Sequence, residues 1–174
     1  MQVSRVVVGV SGSAGSLIAL RYAADLARSQ DAMLAPVLAW TPPGGELADR
    51  RYPSAELRRL WVQRAWDRLW QAMELAFGGP PADIELGPEV VLGQPGPVLA
   101  LNARRPGDVL VVGAGRHGAL RRMLSCRVAR YCVSHGGCPV ITVPPAQLAD
   151  VAHGLRSWME RHRLQPEDAV SDVG

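Results

Sequence analysis

Asp108-Val109-Leu110-Val111-Val112-Gly113-Ala114-Gly115-Arg116-His117-Gly118 decides how the rest of the chain is read. Four consecutive apolar residues, mostly β-branched, break at Gly113 into a small basic loop. An apolar run without polar alternation marks a strand buried on both faces, and such strands belong to parallel sheets. The loop therefore leaves the carboxyl end of a strand. Ala119 to His135 follows, rich in arginine and readable as a helix, then Gly136-Gly137-Cys138-Pro139 and a second apolar run, Val140-Ile141-Thr142-Val143. Strand, glycine loop, helix and strand make a right-handed crossover unit, and in open α/β sheets ligands sit at the carboxyl ends of the strands. Part of any small-molecule site is expected here.

Upstream, strands and helices alternate in the same way. Val3 to Val10 reads as the first strand, and Ser11-Gly12-Ser13-Ala14-Gly15-Ser16 as a small polar loop. Ser13 or Ser16 is expected to cap a helix whose apolar stripe runs through Leu17, Leu20, Ala24 and Ala27, with Arg21, Asp25 and Arg28 in water. A glycine and serine loop before a helix can cradle an anion on backbone N–H groups, although many α/β domains open this way with no ligand. Met33 to Trp40 is the second strand, and Pro36, which removes a ladder donor, places it near an edge or bulges it. The polar segment to Pro53 reads as a long surface loop.

Ser54 is expected to cap the longest helix, which runs to about Phe77. Leu57, Leu60, Trp61, Trp66, Leu69, Trp70, Met73 and Phe77 form its apolar side, and Arg58, Arg59, Arg64 and Arg68 its wet side. Tryptophans at helical spacing read as packing rather than as a cofactor box. Ile84 to Leu92 contains a third strand, broken by Gly87-Pro88 as an edge strand is, and Val98 to Ala103 a short helix with Pro97 in its first turn. The order predicts an open, doubly wound, five-stranded parallel sheet with helices on both faces over residues 1–145. Residues 146–174 form an extension. Leu148, Val151, Ala152, Leu155, Trp158 and Met159 recur at helical spacing, so an amphipathic helix is expected to about Leu164, weakened by Gly154 at roughly 1 kcal/mol, with an acidic tail after it.

Composition narrows the function. A chain of 174 residues, 48% hydrophobic, suits one domain and a modest addition. No apolar segment approaches the roughly 20 residues of a membrane span, and no basic-then-apolar leader precedes Val6, so a cytoplasmic protein is expected. All 19 basic residues are arginine and the net charge is +3. Arginines gather between Arg104 and Arg130 with only Tyr131 as an aromatic neighbour, a poor match to the charged and aromatic face of a nucleic-acid binder. Cys126, Cys132 and Cys138 fit neither a zinc nor a disulfide framework and read as buried small hydrophobes. None of the histidines pairs with a carboxylate or cysteine at ligand spacing, so no metal site is expected.

Val6-Val7-Val8-Gly9-Val10-Ser11-Gly12-Ser13, the helix with Ala19-Leu20 and Ala23-Ala24, the strand end Val109-Leu110-Val111-Val112-Gly113 and the closing Cys138-Pro139-Val140-Ile141-Thr142-Val143-Pro144 together resemble the universal stress protein family. The resemblance covers roughly Val3 to Pro144. It implies a sheet of the adenine-nucleotide alpha-hydrolase type, a homodimer that often pairs through the last strand, and a cytoplasmic stress or regulatory role. In the ATP-binding branch the first strand ends in an aspartate, and the fourth is followed by glycine, two residues, glycine, nine residues, then glycine with serine or threonine. Gly113 matches the first glycine. Arg116 stands at the second, Cys126-Arg127 at the last pair, and Ser11 at the aspartate.

Two readings follow from these departures. In the first, an adenine nucleotide of the ATP class, with magnesium, lies with its base and ribose on Gly9, Val10, Ser11 and Gly12. Its phosphates then lie on Gly113, Ala114, Arg116, His117, Gly118, Arg127 and Val128, with arginine donors in place of glycine N–H groups. In the second, no nucleotide is bound, and a dimer meets an unidentified protein partner through its surface. No paired carboxylates and no nucleophile with a base are visible, so catalysis beyond slow ATP hydrolysis is not expected.

Overall fold

The computed structural model describes residues 2–45, 51, 53–113 and 119–144, with side chains in the last stretch from Arg127 onward. Strands β1 (Arg5–Gly9), β2 (Met33–Trp40), β3 (Glu89–Leu92), β4 (Asp108–Gly113) and β5 (Val140–Val143) form one parallel sheet in the order β3-β2-β1-β4-β5. Helices α1 (Ala14–Gln30), α2 (Ala55–Phe77), α3 (Pro95–Asn102) and α4 (Ala119–His135) connect them. The expected doubly wound sheet is thus present. No described helix is long and apolar enough to cross a membrane. The extension over 146–174 lies outside the described residues.

Strand side chains alternate between two buried faces, which is why the sequence shows apolar runs without alternation. Val6, Val8, Leu34, Leu38 and Val111 pack with Leu20 and Ala23 of α1 and Leu69 and Met73 of α2. Val7, Ala35, Val37, Leu110 and Val112 pack on the other side with Val98 and Leu99 of α3 and Cys132 of α4. The strand order reverses at β1 and β4, which open a crevice at their carboxyl ends.

Pro36 lies next to the edge rather than in it. Met33 and Val37 bond toward β1, while Leu34 accepts from Gly87 and donates to Glu85 on the other side. Pro36 faces that second side, in the gap between the Leu34–Leu86 bridge and the β2–β3 ladder that starts at Val37 and Glu89. Its missing donor falls where Gly87-Pro88 interrupts the edge strand.

Helix α2 departs from its expected apolar face. Ser54 caps it, its hydroxyl accepting from Leu57 N–H at 3.3 Å. The buried face is Ala65, Leu69, Ala72, Met73 and Ala76, flanked by partly buried Trp61, Val62, Trp66 and Phe77. Leu57, Leu60 and Trp70 are exposed. Small alanines let the helix lie close to the sheet, so large residues beside them are pushed outward. Helix α3 also starts earlier than expected, at Pro95, whose fixed φ suits a first turn.

The end of the sheet opposite the crevice carries a buried ion pair that no local pattern of residues announces. Arg5 and Asp108 are register partners on β1 and β4 and are 5% and 1% exposed. Arg5 Nε donates to Asp108 Oδ1 at 2.9 Å and Nη2 to Oδ2 at 2.8 Å; Nη2 also donates to the Asn102 carbonyl, and Arg105 N–H to Asp108 Oδ2 at 2.8 Å. Burial alone would raise the Asp108 pKa, but the hydrogen bonds from Arg5 and Arg105 outweigh it and hold the carboxyl below its ordinary value. Cys132 is buried, its thiol facing the Gly96 carbonyl at 3.9 Å, and burial pushes its pKa up to about 11. That is the inert, hydrophobic cysteine expected from sequence; the side chain of Cys126 lies outside the described residues.

Candidate functional site

The residues around the crevice begin at the end of β1. Gly9 and Val10 continue into Ser11 and Gly12, and Gly12 takes a left-handed φ of 74°, the turn for which a glycine is needed. Ser13 then caps α1: its hydroxyl accepts from Ser16 N–H at 3.2 Å. Ser16 is not the cap. Its buried side chain donates to the Ser13 carbonyl at 2.8 Å and accepts from Ser11 N–H at 3.3 Å, so the loop is tied back on itself. Ser13→Ala is expected to cost about 1 kcal/mol in urea unfolding, and Ser13→Gly only a few tenths, because glycine leaves the cap N–H open to water.

These residues form one side of a cleft of about 260 Å³ at the carboxyl ends of β1, β2 and β4. Val37 and Ala39 of β2, Pro95 and Leu99 of α3 and Val128 of α4 supply an apolar wall. Ser11, Ser13 and Ser16 are its polar lining, with the Ser11 and Ser13 hydroxyls 3.0 Å apart, and Val112 and Gly113 close the β4 side. One further group enters from α2: Arg68 lines the cleft, and its Nη2 donates to the Ser11 carbonyl at 3.2 Å. A larger hollow of about 680 Å³ lies between Pro53 and Trp66, but its described lining comes from α2 and the two residues before it, away from the strand ends where sites form in this architecture.

The expected site residues divide into three groups. Gly9, Val10, Ser11, Gly113 and Val128 are brought together in the lining, with Gly12 in the adjoining turn. Arg127 is exposed and is not among the described lining residues, whereas its neighbour Val128 is. Ala114, Arg116, His117 and Gly118 lie outside the described residues. Arg68 was missed as a site residue: one helix-period reading assigned it to water, and nothing local in the sequence says that α2 passes the end of β1.

The two glycines also have packing roles. A Cβ on Gly9 would lie 2.7 Å from Leu99 Cδ1, and one on Gly113 would lie 2.5 Å from the Gly15 carbonyl oxygen. Their small size lets α3 and α1 approach the sheet at the mouth of the cleft.

Comparison with known proteins adds the lineage. Residues 2–144 match the profile of the universal stress protein family. No curated protein sequence matches the chain. Among solved structures, a universal stress protein in complex with cAMP is 23% identical, covering 83% of this chain and 98% of that one, with a TM-score of 0.52. The universal stress protein UspA from Lactobacillus plantarum is 21% identical over 82% and 99%, with a TM-score of 0.61. One from Archaeoglobus fulgidus is 16% identical over 82% and 98%, with a TM-score of 0.50. At these identities the structural likeness is one of fold.

Proposed function

The chain belongs to the universal stress protein family, and from that membership we propose that it binds an adenine nucleotide in the cleft at the carboxyl ends of β1, β2 and β4. The observation that carries this reading is the cleft's division into an apolar wall and a hydroxyl and cation rim at the sheet's switch point. Adenine is flat and suits Val37, Ala39, Pro95 and Leu99. The ribose then meets Gly9 to Ser13, and a 5′-phosphate extends past Gly113 toward α4. A structural relative in complex with cAMP supports the ligand class. Arg116, His117 and Arg127 belong to the proposal as phosphate donors, and magnesium only as the nucleotide's own counter-ion.

The proposed role is binding and regulation rather than catalysis, in a cytoplasmic homodimer. The dimer is supported by β5, an edge strand with Val140 and Ile141 half-buried and Thr142 exposed. The same edge favours a second reading, a dimer that acts through its surface with no nucleotide.

Calorimetric titration with ATP and with AMP tests the first reading. Binding should weaken by about tenfold or more in Ala39→Phe, which fills the apolar wall, and stay unchanged in Arg59→Ala, which is exposed on α2. Absence of heat with either nucleotide, together with a dimer in sedimentation equilibrium, would leave the surface reading.

A further inference from the structure

Arg68 gives the cleft a cation beside the end of β1. Among the described lining residues it is the one charged side chain, and no carboxylate faces it there. Its guanidinium has five N–H donors, and the bond to the Ser11 carbonyl takes one of them. That bond fixes the group beside the β1 end while its remaining donors are available to a ligand. An arginine held at the rim of a half-apolar cleft without an acid partner is a receptor for a planar or tetrahedral oxyanion.

Its position separates it from the 5′-phosphate. Arg68 enters from α2, on the face of the sheet where α1 packs, and meets the chain at Ser11. Gly113 stands against the first turn of α1, and α4, which follows it, packs on the opposite face of the sheet through Val128 and Cys132. With the base on the apolar wall and the 5′-phosphate past Gly113, the ribose hydroxyls are the part of the ligand left beside Ser11. In dinucleotide crevices the sign of the group at the ribose sets the choice: a carboxylate holds free hydroxyls, and a nearby arginine accommodates a ribose phosphate. Here the rim offers serine hydroxyls and a cation.

We propose that the cleft selects an adenosine carrying phosphate on the 2′ or 3′ hydroxyl as well as at the 5′ end, with Arg68 as the specificity-determining residue. This rests on the adenine-nucleotide reading above. Arg68 is exposed and makes no described ion pair, so its replacement leaves the core intact.

The test is calorimetry of the full chain with 5′-AMP, adenosine 2′,5′-bisphosphate and adenosine 3′,5′-bisphosphate, on the natural protein, Arg68→Ala and Arg68→Lys. One bisphosphate is expected to bind about tenfold or more tightly than 5′-AMP, the scale of a charge-assisted hydrogen bond. Arg68→Ala should abolish that preference, so that the variant binds the bisphosphates no more tightly than it binds 5′-AMP, and Arg68→Lys should retain part of it. The isomer that binds better identifies the hydroxyl. Binding of 5′-AMP with no preference for either bisphosphate, or a preference that survives Arg68→Ala, overturns the assignment and leaves the nucleotide reading standing. Failure of all three ligands to bind overturns the nucleotide reading itself.

Discussion

Asp108→Ala is expected to lower the unfolding free energy by about 3–5 kcal/mol, the cost of leaving one partner of a buried ion pair alone. Asp108 is 1% exposed, and both of its oxygens accept from Arg5, with Arg105 N–H as a further donor. Without it the Arg5 guanidinium keeps only the Asn102 carbonyl and a 3.9 Å approach to Glu89, in a place water reaches poorly. The effect carries a pH signature. The folded pKa of Asp108 lies below the unfolded one, so its stabilisation is fully present above the unfolded value and is lost as the pH falls through the folded value. The gap between the natural protein and Asp108→Ala in urea unfolding should therefore be constant near neutrality and narrow below about pH 4. Arg5→Met with Asp108→Leu should recover stability relative to either single change, because an apolar pair leaves no buried charge. A loss under about 1 kcal/mol in Asp108→Ala would mean that water reaches the pair.

That ion pair also marks the limit of what the sequence made legible. The β4 stretch announced a two-sided parallel strand because apolar residues fill both faces, and β5, α4 and the Ser54 cap followed from equally local signals. Asp108 and Arg5 are 103 positions apart, and each sits just before an apolar run, where a charged residue reads as a solvated strand end. Only the register of β1 on β4 joins them. The candidate site divides along the same line. Gly9, Val10, Ser11 and Gly113 were legible because strand ends carry sites in this architecture. Val37, Ala39, Pro95, Leu99 and Arg68 were not, since their place in the cleft depends on how β2, α3 and α2 pack. In α2 the large apolar residues drew the reading: Leu69 and Met73 are buried as expected, but Ala65, Ala72 and Ala76 complete the contact, and Leu57, Leu60 and Trp70 are exposed.

Gly113→Ala should weaken nucleotide binding by about tenfold or more and cost about 1–3 kcal/mol in stability, the range for overpacking a filled interior. The new Cβ would stand 2.5 Å from the Gly15 carbonyl oxygen, 2.8 Å from its carbon and 3.3 Å from Ser16 N. These are backbone atoms in the first turn of α1, which cannot rotate away as a side chain does. The turn is pinned by the Ser13 cap and by the packing of Ile18, Ala19, Leu20 and Ala23 behind it. Relief therefore moves either the end of β4 or the start of α1, and both line the cleft. Gly9→Ala is the contrasting case. Its Cβ meets Leu99 Cδ1 at 2.7 Å, the far end of a flexible side chain, so the fold should lose less than about 1.5 kcal/mol and the ligand should feel mainly the displaced Leu99. Urea unfolding and AMP titration of the two variants separate the cases. Wild-type affinity and stability in Gly113→Ala would show that α1 is free to shift on β4 and that the cleft's walls are not fixed against each other. The expected loss would show that the glycine is there so that a helix can approach a strand, with the phosphate's approach to the loop a separate requirement.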